Sequence, residues 1–366
     1  MNYKDYTDQV SVFFDRKTEL NALNEYLSFL KDNKPKKILL TGYRRTGKTY
    51  LIWKHFKELD KNKYTPIYID CLTKSSWEEI FDDIYKKTIE TYLLFKKDDK
   101  QILKQFLSNT IKDVYSFLKQ VEISIGKENL GYLKIKLNNT KDIKTSEFIN
   151  KTINALEEFT TKKKIKLVIA LDEFQVIQKM PDLELMIAKL RSRLQVVKNI
   201  EFIFSGSKPS FFKEHMLYKS KPFFQQITVF EVEPFSKDII EEIFIKYKLN
   251  KEKINKIYNF TKGIPDYVMK VLDYYDKLKN IDKAINSVLL NEKKSIEYIL
   301  EILTDFQKSI LKEIAKGKKY SEIKKEVNAE ISSTIKYLIN DGYIKRESVG
   351  KYSLIDPIMD RYLLDT

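Results

Sequence analysis

The residues Gly42-Tyr43-Arg44-Arg45-Thr46-Gly47-Lys48-Thr49 occupy every fixed position of the pattern G-x-x-x-x-G-K-[ST]. Its two glycines permit backbone conformations that turn successive N–H groups toward a phosphate. Lys48 brings a mobile positive charge for the β- and γ-phosphates, and the Thr49 hydroxyl is a hard oxygen ligand for Mg²⁺. The helix expected to open there, with Tyr50 in its first turn, adds the positive end of its dipole. The stretch Gly42–Tyr50 is therefore expected to bind ATP or ADP together with Mg²⁺.

A second constellation lies at Leu167-Val168-Ile169-Ala170-Leu171-Asp172-Glu173, where a fully apolar run ends in two adjacent carboxylates. Neighbouring residues on a strand face opposite ways. One carboxylate, Asp172, can therefore serve the Mg²⁺ shell while Glu173 polarises a water for in-line attack on the γ-phosphate. The competing reading is a pair capping a helix N-terminus; a phosphate loop upstream favours the catalytic one. Ser205-Gly206-Ser207 closes a further apolar run. One of the two hydroxyls, Ser205 or Ser207, is a candidate sensor of the γ-phosphate or its attacking water, against a plain Ser/Gly turn.

These residues need a scaffold. Ile38–Thr41 reads as a short strand running into the glycine loop, and Tyr50–Leu59 resumes helical spacing. A helix over 14–30 precedes them, with Leu20, Leu23, Leu27 and Leu30 on one face. A strand is expected at Pro66–Asp70 and a long helical stretch over 77–120. Alternation at Val121, Ile123 and Ile125, and again at Leu133, Ile135 and Leu137, predicts an extended excursion. A helix over 145–160, the central strand Leu167–Leu171, a helix over 182–197 and a strand Glu201–Ser205 complete an α/β rhythm with a buried parallel sheet. Beyond Phe235 the pattern is helical, with spans near 236–249, 251–261, 264–279 and 281–300. The last stretch reads as helices at 305–316, 320–326 and 330–340, then strands Tyr343–Ser348 and Lys351–Ile355. That order is a winged helix-turn-helix.

Together these elements resemble the archaeal ATPase family, in the STAND class of AAA+ P-loop proteins and related to origin-recognition initiators. The likeness spans roughly residues 12–366. It rests on the two acidic and phosphate-loop motifs, on Phe13-Phe14-Asp15-Arg16-Lys17-Thr18-Glu19-Leu20, on Ser205-Gly206-Ser207, on Glu233-Pro234-Phe235 and on Gly263-Ile264-Pro265. The resemblance implies an α/β P-loop AAA+ core over 1–234 with an insertion near 77–145. It further implies an α-helical lid over 235–300 and a winged-helix domain over 301–366. It places Phe14 and Arg16 beside the adenine and Pro265 against the nucleotide from the lid. One departure stands out. Where the family carries Gly-Arg before the lid, this chain has Pro222-Phe223-Phe224-Gln225-Gln226. An arginine finger must then come from elsewhere, for example Arg191 or Arg193, or be absent; the bland reading of both is surface. Slow turnover is the consequence, because such a cation stabilises the transition state.

Length and composition agree with two or three globular domains: 366 residues, 43% hydrophobic, 13% aromatic. No apolar run approaches the length of a membrane span, and Met1–Val10 is polar, unlike a signal peptide. A single cysteine, Cys71, excludes an internal disulfide and fits a cytoplasmic compartment. The net charge of +15 invites nucleic acid, but its placement matters more than its size. Residues 301–366 hold 12 Lys/Arg against 11 Asp/Glu. Residues 86–144 hold 13 Lys against 7 Asp/Glu, so the insertion is the better DNA-binding surface unless its lysines merely solvate helices.

Three functions remain in order of preference. The first is a slow ATPase acting as a nucleotide switch, in which ATP closes lid on core and changes what the winged helix or insertion can contact, a protein partner being one candidate. The second is an ATP-dependent DNA-binding protein of initiator type. The third is a non-hydrolysing adaptor with structural nucleotide.

Overall fold

The computed structural model describes residues 16–95 and 145–365. The alternating segment at 121–137 and most of the expected insertion therefore lie outside the described residues, as does Phe14. The chain forms two compact units.

Among the described residues, the first comprises 16–40, 49–95, 145–206 and 212–230. Its frame is a five-stranded sheet in the order β2-β3-β4-β1-β5. The strands are β1 (Lys37–Thr41), β2 (Tyr64–Asp70), β3 (Lys166–Asp172), β4 (Ile200–Gly206) and β5 (Thr228–Glu231). β2 pairs with β3 in parallel, Asp70 opposite Asp172, and β3 pairs with β4 in parallel, Leu171 opposite Phe204. Parallel pairing puts Asp70, Asp172 and Gly206 at one edge of the sheet, where ligands of open α/β sheets bind. β3 and β4 are buried almost throughout, which is why their sequences show apolar runs and no alternation. Helices α1 (Lys17–Lys31), α2 (Lys48–Glu58), α3 (Trp77–Phe95), α4 (Thr145–Lys163) and α5 (Leu183–Leu194) accompany the sheet.

β5 had no sequence signal. Its burial alternates between half-buried and exposed, as on a sheet edge, and four such residues are too few to stand out from a loop. The helix expected over 77–120 is described only as far as Phe95.

Among the described residues, the second unit holds 41–48, 207–211 and 231–365. Helices α6 (Lys237–Phe244), α7 (Lys251–Thr261), α8 (Pro265–Leu278) and α9 (Ile281–Ile302) form the lid. Their starts are written locally. Asn250 and Asn280 accept the N–H of Lys253 and Lys283, each at 3.0 Å, and Pro265 opens α8. A capping box at Thr304 and Gln307 starts α10 (Asp305–Ala315). Then come α11 (Tyr320–Glu326), α12 (Ser332–Asn340) and the antiparallel pair β6 (Ile344–Ser348) and β7 (Lys351–Leu354). This is the expected winged helix. Glu330 lies outside α12: its carboxylate accepts the N–H groups of Ile331 and Ser332 at 3.2 Å each and so caps the helix. A last helix, α13 (Pro357–Asp365), was not foreseen. Its signal was present in Asp356-Pro357: the Asp356 carboxylate caps Ile358 N–H at 2.9 Å, and Pro is favoured at a first helical position.

Candidate active site

The phosphate loop leaves β1 and runs directly into α2. Gly42 has φ +146°, and a Cβ there would sit 2.5 Å from the Val232 carbonyl oxygen, so only glycine fits. Within the loop the Lys48 ammonium donates to the carbonyls of Gly42 at 2.8 Å and Tyr43 at 2.7 Å. The Thr46 hydroxyl donates to the Tyr43 carbonyl at 3.0 Å. Arg45 holds a left-handed backbone, φ 68°. Its guanidinium faces Glu292 of α9 at 3.0 Å and Asp266 of α8 at 3.6 Å. Arg44 is exposed. Burial, with Glu231 and Glu347 nearby, raises the Tyr43 phenol above its ordinary pKa.

Asp172 is buried at the end of β3. Its Oδ2 accepts the Thr49 hydroxyl at 2.6 Å and the Tyr68 hydroxyl at 2.9 Å; its Oδ1 accepts the N–H of Glu173 at 3.0 Å. Thr49 and Asp172 are 123 residues apart in sequence, and sheet topology brings them into contact. Tyr68 was not foreseen as a site residue. It lies on β2, the strand beside β3, and an aromatic there looks like ordinary core. Burial and the neighbouring Asp172 push its phenol far above the usual range, so it stays a donor. Lys87 of α3 donates to the Tyr68 carbonyl at 2.9 Å. Burial, then Asp172, also raises the Cys71 thiol, which fits a packed, unreactive group.

Glu173 takes a left-handed conformation, φ 52° and ψ 39°, a strained setting for a non-glycine residue and one common at functional sites. What holds it is the next residue. Phe174 is fully buried, 6.2 Å from Trp77 and 4.8 Å from Phe204 between ring centroids. Gln175 donates to the Glu173 carboxylate. A side chain at position 206 would collide with Gln175 and Phe212, so Gly206 is required for this approach. Gln175, two residues past the acidic pair, was also missed.

Ser205 and Ser207 are both buried. The Ser205 hydroxyl has no hydrogen-bond partner among the described residues. Arg16 sits at the N-terminus of α1 with φ 77°, its guanidinium 3.3 Å from Glu19. Tyr50 is exposed, its ring 5.4 Å from that of Trp53. Pro265 is buried at the start of α8, next to Gly263, whose carbonyl accepts the N–H of Phe235 at 2.7 Å. Both arginines considered as fingers lie on α5. Arg191 Nε donates to Gln226 Oε1 at 2.8 Å, inside the segment that departs from the family pattern.

A hydroxyl and a carboxylate sharing one short hydrogen bond are hard oxygen donors. They fit Mg²⁺, which takes few protein ligands and fills its octahedron with phosphate and water. Among the described residues no group of three or more His, Cys, Asp or Glu forms an all-protein metal cage. No described helix is long and apolar enough to cross a membrane.

Residues 13–271 match the family described as an ATPase domain predominantly from Archaea. The chain is 23% identical, over 95% of its length and 99% of the relative's, to an uncharacterised ATP-binding protein of Methanocaldococcus jannaschii. In fold it is similar to the Walker-type ATPase of Pyrococcus abyssi, with TM-score 0.65, 20% identity and 96% of each chain covered. It is also similar to the Aeropyrum pernix ORC2 protein, solved with ADPNP and ADP, with TM-score 0.60, 14% identity and 97% and 93% of the two chains covered. The chain thus belongs to the predominantly archaeal ATPase-domain family, its P-loop carried on an α/β fold with a parallel sheet, a helical lid and a C-terminal winged helix.

Proposed function

We propose that this ATPase is a slow nucleotide switch whose ATP site is built on Gly42–Thr49, Asp172, Glu173 and Ser205. The observation that carries it is the 2.6 Å bond from the Thr49 hydroxyl to the Asp172 carboxylate. Two oxygens that must share one cation are already side by side. In this reading the loop N–H groups and Lys48 bind the phosphates, and Thr49 and Asp172 hold Mg²⁺. The ion would neutralise charge on the phosphate oxygens. Glu173, fixed by Phe174 and Gln175, takes the proton of the attacking water. Ser205, with its unpartnered hydroxyl, orients that water or reads the γ-phosphate, and is preferred to Ser207 for that reason. Pro265 and Arg16 remain the proposed base-side contacts.

Slow turnover follows from the arginines. Arg191 is committed to Gln226 in its own unit, and a supplied cation can be worth several orders of magnitude in rate. Hydrolysis then times a conformational state. The test is Glu173→Gln, which is expected to abolish phosphate release by about 100-fold or more while ATP still binds. Equal, negligible hydrolysis by both proteins with tight binding would leave the adaptor reading in its place.

A DNA-binding role of initiator type is the second reading, favoured by the winged helix and by the fold likeness to the Aeropyrum pernix ORC1 protein, solved in complex with DNA. The charge distribution ranks it lower. In the winged-helix region Lys318, Lys324 and Lys345 are paired with Glu313, Glu330 and Glu347, leaving little net charge to displace counterions. Salt-dependent binding to duplex DNA that disappears in ADP would promote this reading; no binding at low salt would remove it.

A further inference from the structure

The phosphate loop belongs to the same compact unit as the lid and the winged helix, and one of its side chains reaches both helices α8 and α9. Arg45 stands in a charge-balanced quartet. Its guanidinium pairs with Glu292 and Asp266, and Lys270 pairs with the same two carboxylates at 2.6 Å and 2.8 Å. Glu292 is almost fully buried, and although burial would raise its pKa, Lys270 and Arg45 outweigh that and hold it ionised. The Arg45 guanidinium carbon also lies 4.8 Å from the centroid of the Tyr267 ring, within cation–π range. Tyr267 is fully buried, and its hydroxyl donates to Asp356 Oδ2 at 2.6 Å. The other oxygen of Asp356 caps α13 through the N–H groups of Ile358 and Met359, at 2.9 Å and 3.2 Å. From the phosphate loop to the last helix the contacts are continuous, through one ring and one carboxylate.

We infer that Arg45, Tyr267 and Asp356 form a relay coupling the phosphate content of the loop to the C-terminal helix of the winged-helix region. The inference rests on the proposal that Gly42–Thr49 binds ATP. Phosphates entering the loop bring negative charge close to Arg45 and compete with Glu292 and Asp266 for its guanidinium. As the cation shifts, the face of Tyr267 loses the nearer of its two cations, Lys270 Nζ lying 5.6 Å from the same centroid, the hydroxyl loosens from Asp356, and the first turn of α13 loses part of its cap. A second tie, Lys208 to Asp341 at 2.6 Å, joins the segment after β4 to the end of α12. It is independent of Tyr267, so breaking the relay leaves the winged helix attached. By linkage the effect is reciprocal: whatever displaces α13 alters nucleotide affinity by the same factor.

The experiment uses the full chain, ADPNP with Mg²⁺ as probe, calorimetry for binding, and hydrogen exchange of the peptide spanning 356–365. In the wild type, ADPNP is expected to speed exchange at Ile358 and Met359 by about threefold or more. Tyr267→Phe keeps the ring under Arg45 and removes only the hydroxyl. It should bind ADPNP within about twofold of wild type, yet exchange at the same rate with and without it. Arg45→Met, which removes the charge and keeps the stem, should also abolish the response. A nucleotide response that survives in either variant overturns the relay, as does wild type that binds ADPNP without any change at 356–365. Absence of ADPNP binding to wild type would instead bring down the nucleotide-site proposal, and the relay with it.

Discussion

Tyr68 and Asp172 meet through a 2.9 Å hydrogen bond to the same carboxylate oxygen, Oδ2, that accepts the Thr49 hydroxyl. Two hydroxyls from two different elements therefore fix the rotamer of one carboxylate. Partners of this kind act through the group that they orient. Tyr68→Phe is expected to raise the Mg²⁺ concentration needed for half-maximal nucleotide binding by roughly tenfold, with ATP affinity in the absence of Mg²⁺ unchanged. Titrating Mg²⁺ at fixed ATP by calorimetry checks it; a parallel loss without Mg²⁺ would mean that the phenol is merely structural.

Gly263 is constrained twice. Its φ is +76°, and an added Cβ would overlap the Phe235 carbonyl, whose own N–H bonds to the Gly263 carbonyl. Gly263→Ala should destabilise the helical unit by about 2 kcal/mol or more. Thermal unfolding followed by far-ultraviolet circular dichroism would record a fall of several degrees in its transition. An unchanged transition would show that the entry to α6 gives way cheaply.

His55 is fully buried on α2, its Nδ1–H donating to Asn24 Oδ1 at 3.0 Å, and burial lowers its pKa to about 4 from 6.5. In the unfolded chain it protonates near 6.5, so its contribution is complete above that pH and is lost as pH falls toward 4. Over that window the loss amounts to roughly 3 kcal/mol. Both tryptophans, Trp53 and Trp77, lie in the sheet unit, so denaturant unfolding read by their fluorescence reports on it. His55→Asn should lose less stability than the wild type between pH 6.5 and 4. Parallel curves would remove His55 as the cause.

Glu201 works in the opposite direction. It is fully buried on β4, and burial raises its pKa from 4.5 to about 8. A carboxyl kept neutral in the fold contributes fully below pH 4.5, and that contribution is lost as pH rises through 8. Between pH 6.5 and 8, where the contribution of His55 is complete and no longer changes with pH, the sheet unit should lose about 2 kcal/mol. Glu201→Gln is expected to flatten that limb, measured by the same fluorescence; a slope that persists in the variant would assign it to other groups.

Contacts with a short span were legible in the chain. The phosphate loop is one continuous stretch because a single turn of backbone must present all its N–H groups, so its pattern survives in the sequence. The Asp172-Glu173 pair is visible because the buried strand before it has no polar residue to confuse the reading. Helix starts at Asn250, Asn280 and Thr304 are equally local. What went unread is of two kinds. β5 is short and half-exposed, so it lacks a period. Tyr68, Gln175 and Tyr267 look like core or turn until their partners are known.

The sequence by itself determined that a phosphate-binding loop, an acidic strand end and a terminal winged helix exist, since each is encoded within a few residues of itself. Only the tertiary structure decided which hydroxyl at 205–207 stands unpartnered and which aromatic orients Asp172. It alone decided that Arg45 answers to Glu292, 247 residues away in the chain. The physical reason is range. Backbone conformation and capping depend on neighbours along the chain, whereas ion pairs, ring contacts and buried hydrogen bonds depend on which segments the packed core brings together.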